Sequence, residues 1–203
     1  MNCITLNEEV MVSDPCYTIP TWCQIKLKNV LPGRYKTNCR ITSNSGWGER
    51  CSVLLAVHED YVTQDLSWRE HAGDVGVDSG QCGIFCMTSY RNDVLSEGIT
   101  TPTLDQPFVI PFREEGDKWY EKICKFTLCE PQWGLYDTGV VSSSGIGDGQ
   151  YPLDVMMDGD KIVGMRLEYL GNSDEDLLDE GDVCGVCGND MVDGESCNCQ
   201  NED

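Results

Sequence analysis

One uninterrupted apolar run, residues 51–58, restricts the possible folds more than any other segment of the chain. A run of this length is typical of a central strand that is buried on both faces. Around it lie many short apolar or alternating segments separated by Gly, Pro, Asn and Asp turns, with hardly any long 3.6-residue periodicity. The sequence therefore predicts an all-β or β-dominated domain, either an antiparallel sandwich or an open barrel, with a short helical excursion.

Three further segments carry specific predictions. The alternating stretches on either side of the turn at residues 158–161 predict a terminal β-hairpin. Residues 21–28 predict a short strand, with Trp22 placed to cover the core. Residues 117–128 have helical spacing first and strand-like spacing later, so we expect a short helix that passes into a strand.

Short turns that carry an acidic residue follow or separate the predicted strands. Residues 140–155 predict a strand, a loop with three serines and three glycines, and a second strand, with Asp148 inside the loop. Asp78 lies in a similar turn, and Asp14 precedes Pro15 at a strand end. If these turns converge, they form a small polar pocket for a metal ion or a polar metabolite. The candidate ligand-binding residues are Asp14, Cys16, Asp78, Ser79, Gly80, Ser144, Gly145, Asp148 and Tyr151.

These turns also have ordinary structural interpretations. The loop around Asp148 can be a tight hairpin in which this carboxylate bonds its own backbone amides, and Asp14 can form an Asx turn. The pattern of residues leaves both interpretations open. The choice between these structural interpretations and a ligand-binding pocket depends on whether the turns meet in space.

The thirteen cysteines fall into two groups. Nine, from Cys3 to Cys129, are scattered without a C-x-x-C pattern, and we expect them to be mainly structural thiols. The last four form C-x-x-C and C-x-C pairs, which suit a closed tetrahedral zinc site. Free thiols, a disulfide and iron–sulfur or redox chemistry are the alternatives. The predicted zinc ligands are Cys184, Cys187, Cys197 and Cys199.

Charge divides the chain. Of the 35 acidic residues 11 lie in Ser173–Asp203, which has no Lys or Arg, so about half of the net charge of −21 belongs to this segment. We predict a β-rich domain at residues 1–171, an acidic linker at 172–183 and a cysteine-rich, zinc-binding tail at 184–203 that docks a protein partner. The negative charge disfavours nucleic acid and anionic membranes as partners. No apolar span and no secretory signal is recognisable, so we expect a cytoplasmic protein.

Several motifs resemble a known family. They are Val-Asp-Ser-Gly-Gln at residues 77–81, Ser-Ser-Gly-Ile-Gly-Asp-Gly-Gln-Tyr-Pro-Leu at 143–153 and Asp-Gly-Asp-Lys-Ile-Val at 158–163. With them the chain resembles the β-rich bacterial and phage proteins of the domain-of-unknown-function family numbered 4241. The resemblance covers residues 10–171 and implies a shared fold and a phage or bacterial origin, but it implies no reaction. The cysteine tail departs from the family pattern.

Three functions are compatible with these patterns. The first is a non-catalytic binding or interaction protein, in which the acid-bearing turns form a polar site. The second is a structural protein, for example a component of a phage particle. The third is a hydrolase that uses the carboxylates of Asp14, Asp78 and Asp148, with Cys16 or Cys82 as the nucleophile. The hydrolase hypothesis is chemically weaker, because neither histidine adjoins these motifs in the sequence.

Overall fold

The computed structural model of this chain describes residues 2–44, 46, 48–64, 67–91, 118–136 and 138–170. By its internal contacts the chain divides into two units, Met1–Asn172 and Ser173–Asp203, and every described residue belongs to the first unit. The predictions of an acidic linker and a zinc-binding tail therefore concern residues outside the described part of the chain.

Strands dominate the described residues. In chain order the elements are β1 (Cys3–Leu6), β2 (Val10–Ser13), β3 (Ile25–Leu27), β4 (Gly33–Asn44), β5 (Gly48–His58), β6 (Trp68–Val77), β7 (Gln81–Cys86), α1 (Lys118–Thr127), β8 (Trp133–Tyr136), β9 (Gly139–Ser143), β10 (Gly149–Asp158) and β11 (Lys161–Glu168). A 3₁₀ turn, Glu59–Tyr61, follows β5. This composition confirms the prediction of a β-dominated fold.

The strands form two antiparallel sheets. Sheet A has the order β1-β4-β5-β11-β10-β6, and sheet B has the order β3-β2-β7-β9-β8. Strand β5 lies between β4 and β11, and every residue from Cys51 to His58 is buried, which confirms the predicted central strand. The predicted terminal hairpin is also confirmed, since β10 pairs with β11 up to the turn-flanking residues Asp158 and Lys161.

Alternate residues of sheet B enter two different cores. Val12, Ile84 and Val140 pack with residues of sheet A in the larger core between the sheets. The neighbouring residues in the chain, such as Phe85 and Val141, pack instead with side chains of α1. Sheet B is therefore the middle layer of three, with sheet A on one face and the helix on the other. Complete burial of each such aliphatic side chain contributes about 1.5–3 kcal/mol to folding.

Two local predictions were wrong. Trp22 does not cover the core, because it lies at the tip of a turn in which the Gln24 amide donates to the Thr21 carbonyl at 3.1 Å, and its side chain is 82% exposed. The strand that follows is limited to Ile25–Leu27. Helix α1 packs Trp119 and Ile123 inward at a spacing of four residues, but it ends at Thr127 without passing into a strand.

Four connections in the described part of the chain cross from one sheet to the other, and two of them contain the acid-bearing turns at Asp78 and Asp148. Residues 78–80 join β6 of sheet A to β7 of sheet B, and residues 144–148 join β9 of sheet B to β10 of sheet A. The loop around Asp148 is therefore an arch between sheets and not a tight hairpin, so that interpretation was wrong. Helix α1 has ten residues, and no helix in the described ranges has the length and apolar character needed to cross a bilayer.

Candidate functional site

The two arches lie side by side at one end of the sandwich, which we call the arch end. In sheet A the arch-flanking residues Val77 and Gly149 are paired, and in sheet B Gln81 and Ser143 are paired. The backbone amide of Ser144 donates to the Gly80 carbonyl at 3.0 Å and links the arches directly. The sequence-predicted turns at residues 78–80 and 144–148 therefore do converge.

The second arch is braced by hydroxyl groups. Ser144 Oγ donates to the Gly147 carbonyl at 2.8 Å, and the Tyr151 hydroxyl lies 2.7 Å from the same oxygen. Gly145 has a φ of +57°, and a Cβ atom there would lie 3.0 Å from Tyr169 Cβ, so this position favours glycine. Of the predicted ligand-binding residues, Ser144, Gly145 and Tyr151 thus shape the arch, whereas the Asp148 side chain is exposed.

A fully buried carboxylate, Asp14, anchors the first arch. Its Oδ1 accepts hydrogen bonds from the Cys16 amide at 2.8 Å and the Ser79 hydroxyl at 2.7 Å. Its Oδ2 accepts from the backbone amides of Asp78 at 2.9 Å and Ser79 at 2.7 Å. The bond to Cys16 is the predicted Asx turn, but the other three join segments more than sixty residues apart in sequence. Asp14 is therefore an internal anchor that is not available to a ligand.

A second hydrogen bond ties the same segments together closer to the surface. The Tyr17 hydroxyl donates to Asp78 Oδ2, so this carboxylate is oriented by a side chain from the turn that follows Asp14. Beneath them, the buried Tyr90 hydroxyl donates to the Tyr17 carbonyl at 2.7 Å. Gln24 adds a contact from its side-chain nitrogen to Ser13 Oγ at 3.0 Å. These bonds fix the position of Asp78 before any ligand binds.

A cleft of about 390 Å³ opens at the arch end. It contains the carboxylates of Asp78 and Asp148, one from each arch, together with aromatic side chains from the segment between β2 and β3. Two of its lining residues, Asp78 and Asp148, are among the ligand-binding residues that the sequence predicts. The lining residues are Tyr17, Trp22, Cys23, Gly76, Val77, Asp78, Asp148, Gly149 and Gln150.

The two candidate nucleophiles are poorly suited to catalysis. Burial, followed by the negative charge of Asp14, raises the pKa of the Cys16 thiol far above its ordinary value. Burial raises the pKa of the Cys82 thiol in the same direction, and this side chain is fully enclosed in the core. A cysteine nucleophile needs a lowered pKa or a nearby base. These environments keep both thiols protonated at neutral pH.

His58 does not supply such a base at the arch end. His58 is buried at the opposite end of the sandwich, where Tyr61, its aromatic neighbour, donates to Asp158. Strand β10 runs from Gly149 at the arch end to Asp158, which corresponds to about 30 Å at the usual rise of a strand. His71 lies on β6 opposite Asp154, and its side chain is outside the described residues.

Metal ligands do not cluster in the described part of the chain. No group of three or more His, Cys, Asp or Glu side chains that suits a metal ion is present among those residues. The nine cysteines described there are free thiols. The four cysteines predicted to bind zinc lie outside the described residues, so the zinc site stays a prediction.

No protein-family model, curated protein or solved structure matches this chain significantly. The resemblance to the family numbered 4241 therefore stays a prediction that depends on the motifs alone. Those motifs do have clear structural roles, since residues 77–81 and 143–153 contain the two arches.

Seven residues that line the cleft were not predicted from the sequence: Tyr17, Trp22, Cys23, Gly76, Val77, Gly149 and Gln150. Three of them belong to the segment between β2 and β3, whose irregular sequence carries no periodic signal. The polar turn residues around Trp22 were the available signal, because a turn places the side chain at its tip in solvent. Gln150 is the second residue of β10, two positions after the end of the arch.

Proposed function

We propose that this chain is a non-catalytic binding protein that holds a small polar ligand in the arch-end cleft. One observation carries the proposal: Asp78 and Asp148, from two different arches, line the same cleft as the exposed side chain of Trp22. The volume of this cleft, about 390 Å³, is within the range of small-molecule sites, about 300–1,000 Å³.

The internal anchor supports binding over catalysis. Asp14, Tyr17 and Tyr90 hold the cleft wall through hydrogen bonds that orient the exposed Asp78 carboxylate. Binding sites gain affinity when their residues are fixed before the ligand arrives. The protonated thiols of Cys16 and Cys82 offer no activated nucleophile to such a ligand.

Ligand-observed NMR tests this proposal. Saturation-transfer spectra are recorded for mixtures of small cationic, neutral and anionic metabolites with the full chain and with Asp148→Asn. We expect transfer to at least one compound class, reduced in Asp148→Asn and unchanged in Asp160→Asn, an exposed acid near the far end of β10. Equal transfer in both variants, or none to any compound, would overturn the proposal.

The proposal includes the tail. We infer that its two cysteine pairs bind one structural zinc ion and that the acidic segment binds a protein partner in the cytoplasm. Support comes from the ligand spacing in the sequence and from the nine free thiols of the described residues, which suit a reducing compartment.

Native mass spectrometry of the full chain tests the zinc site. We expect one zinc ion in the unmodified protein and none after the double substitution Cys184→Ser and Cys187→Ser. Substitution of the exposed Cys129 by Ser is the matched control and leaves the stoichiometry unchanged. Zinc retained by the double variant would contradict the assignment.

A further inference from the structure

The charge of the arch-end cleft selects its ligand. Two carboxylates, Asp78 and Asp148, line it, and none of the described residues that line it is basic. Residues 1–172 contain 24 acidic and 14 basic residues, a net charge of −10, which adds a field that repels anions and attracts cations. A positively charged ligand therefore has an electrostatic advantage here over a neutral or negative one.

The size and donor set of the cleft argue against a bare metal ion. One Asp78 oxygen already accepts the Tyr17 hydroxyl, so the two carboxylates offer few oxygens, whereas Ca²⁺ takes six to eight. A cavity of about 390 Å³ is also much larger than an ion needs. The cleft fits an organic cation better, because such a cation brings its own volume and several N–H donors.

The exposed indole of Trp22 also favours a cationic ligand. This side chain is 82% exposed on a turn held by the Thr21 amide, which donates to Gln24 Oε1 at 2.8 Å. An indole beside two carboxylates is the arrangement that attracts a guanidinium or an ammonium group, through its face and through charge-assisted hydrogen bonds. Because Trp22 is not buried, core packing does not explain a tryptophan at this position, whereas contact with a cation does.

We propose that the cleft binds the guanidinium or ammonium group of an organic cation between the Trp22 indole and the carboxylates of Asp78 and Asp148. This inference rests on the proposed function and names the ligand class for the same site. The charged group can belong to a free small molecule or to a side chain of a peptide, and its chemistry is the same in both.

Isothermal titration calorimetry with two matched probes tests the inference. N-acetyl-arginine amide carries a guanidinium, and N-acetyl-citrulline amide replaces it with a neutral urea of nearly the same shape. We expect the first to bind at least about tenfold more tightly, and more weakly as NaCl increases. Agmatine, a free cation, and a short arginine peptide form further arms, and the tighter of the two indicates the source.

Variants of the full chain locate the binding. We expect about tenfold weaker binding of N-acetyl-arginine amide in Asp78→Asn or Asp148→Asn and about threefold weaker binding in Trp22→Ala. Asp160→Asn and Leu128→Ala are the matched controls, since each alters an exposed residue outside the cleft lining. Asn at position 78 retains an oxygen that can accept the Tyr17 hydroxyl, so the cleft wall is preserved.

The outcomes separate the two proposals. Equal affinity for the arginine and citrulline probes, or full affinity in Asp148→Asn, would overturn the cation assignment. If only neutral or anionic metabolites bind and Asp148→Asn weakens them, the cation inference fails while the proposed function holds. If no compound of any class binds at the arch end, both fail.

Discussion

Each end of the sandwich has a hydrogen bond from a tyrosine hydroxyl to an aspartate, but the two bonds have different surroundings. At the arch end Tyr17 donates to Asp78, and at the other end, which we call the hairpin end after the turn between Asp158 and Lys161, Tyr61 donates to Asp158 at 2.6 Å. The hairpin-end pair is a surface contact, whereas the arch-end pair is backed by the buried Asp14. A buried anchor thus makes an ordinary surface pair part of a pre-formed cleft.

His58 has a structural role at the hairpin end. Its ring packs edge-on against Tyr35 and Tyr61 at centroid distances of 5.2 and 5.8 Å, and its Nδ1 accepts the Asp60 amide at 3.3 Å. A Cβ atom on Gly33 would lie 2.3 Å from His58 Nε2, so the ring fills the space above that glycine. This histidine is a packed structural residue.

Removal of the anchor gives the largest expected effect. Asp14→Ala leaves the amides of Cys16, Asp78 and Ser79 without their acceptor, and we expect the free energy of unfolding to fall by at least about 3 kcal/mol. Asp158→Ala removes an exposed contact and costs less than about 1 kcal/mol. Urea denaturation measures both values. Similar losses in the two variants would remove the difference between the ends.

Alkaline pH has the next largest expected effect. Burial raises the pKa values of Cys82 and Tyr90 above their ordinary values of 9.0 and 10.0, and burial followed by the bond to Asp78 does the same for Tyr17. Above pH 9 the native state still holds these protons while the unfolded chain releases them. The stabilisation that these groups contribute is therefore fully present below pH 9 and decreases as the pH rises above it. We expect a loss of at least about 2 kcal/mol between pH 8 and pH 10.5.

A pair of variants assigns part of this pH dependence to the arch end. Tyr17→Phe removes one of the retained protons, so its stability falls less steeply with pH than that of the unmodified chain. Tyr61→Phe removes a tyrosine whose pKa is raised mainly by a solvent-exposed bond to Asp158, so we expect a smaller reduction of the slope than in Tyr17→Phe. Denaturation curves at several pH values decide this, and an equal slope in all three proteins would contradict the assignment.

Thiol reactivity gives the smallest expected effect. Burial and Asp14 raise the pKa of Cys16, so at pH 8 iodoacetamide reacts with it at least about tenfold more slowly than with the exposed Cys129. Asp14→Asn removes the negative charge and increases the rate at Cys16. Peptide mass spectrometry follows each residue separately. A fast reaction of Cys16 in the unmodified chain would restore it as a candidate nucleophile.

The sequence predicted those features that depend on local patterns. The burial of Cys51–His58 and the terminal hairpin followed from apolar runs, alternation and turn residues. The acid-bearing turns were also identified, because Gly, Ser and Asp cluster there. These signals are short-range, and they are complete within a segment of about ten residues.

Long-range pairing was not predictable in this way. A Gly-rich loop can close a hairpin or cross between sheets, and only the partners of β9 and β10 decide that residues 144–148 form an arch. The contacts from Asp14 to the Asp78 and Ser79 amides span 64 and 65 residues, and no periodicity reports them. Trp22 was misplaced because its hydrophobicity predicts burial, whereas its turn places it in solvent.

Backbone amide chemical shifts test most directly whether the arch end and not the hairpin end is the binding site. ¹⁵N-labelled full-length protein is titrated with N-acetyl-arginine amide. We expect shift changes at Gly76–Asp78 and Asp148–Gln150 and at the Trp22 indole, with none at residues 158–161. Changes centred on the hairpin end, or spread evenly over the acidic surface, would contradict this assignment.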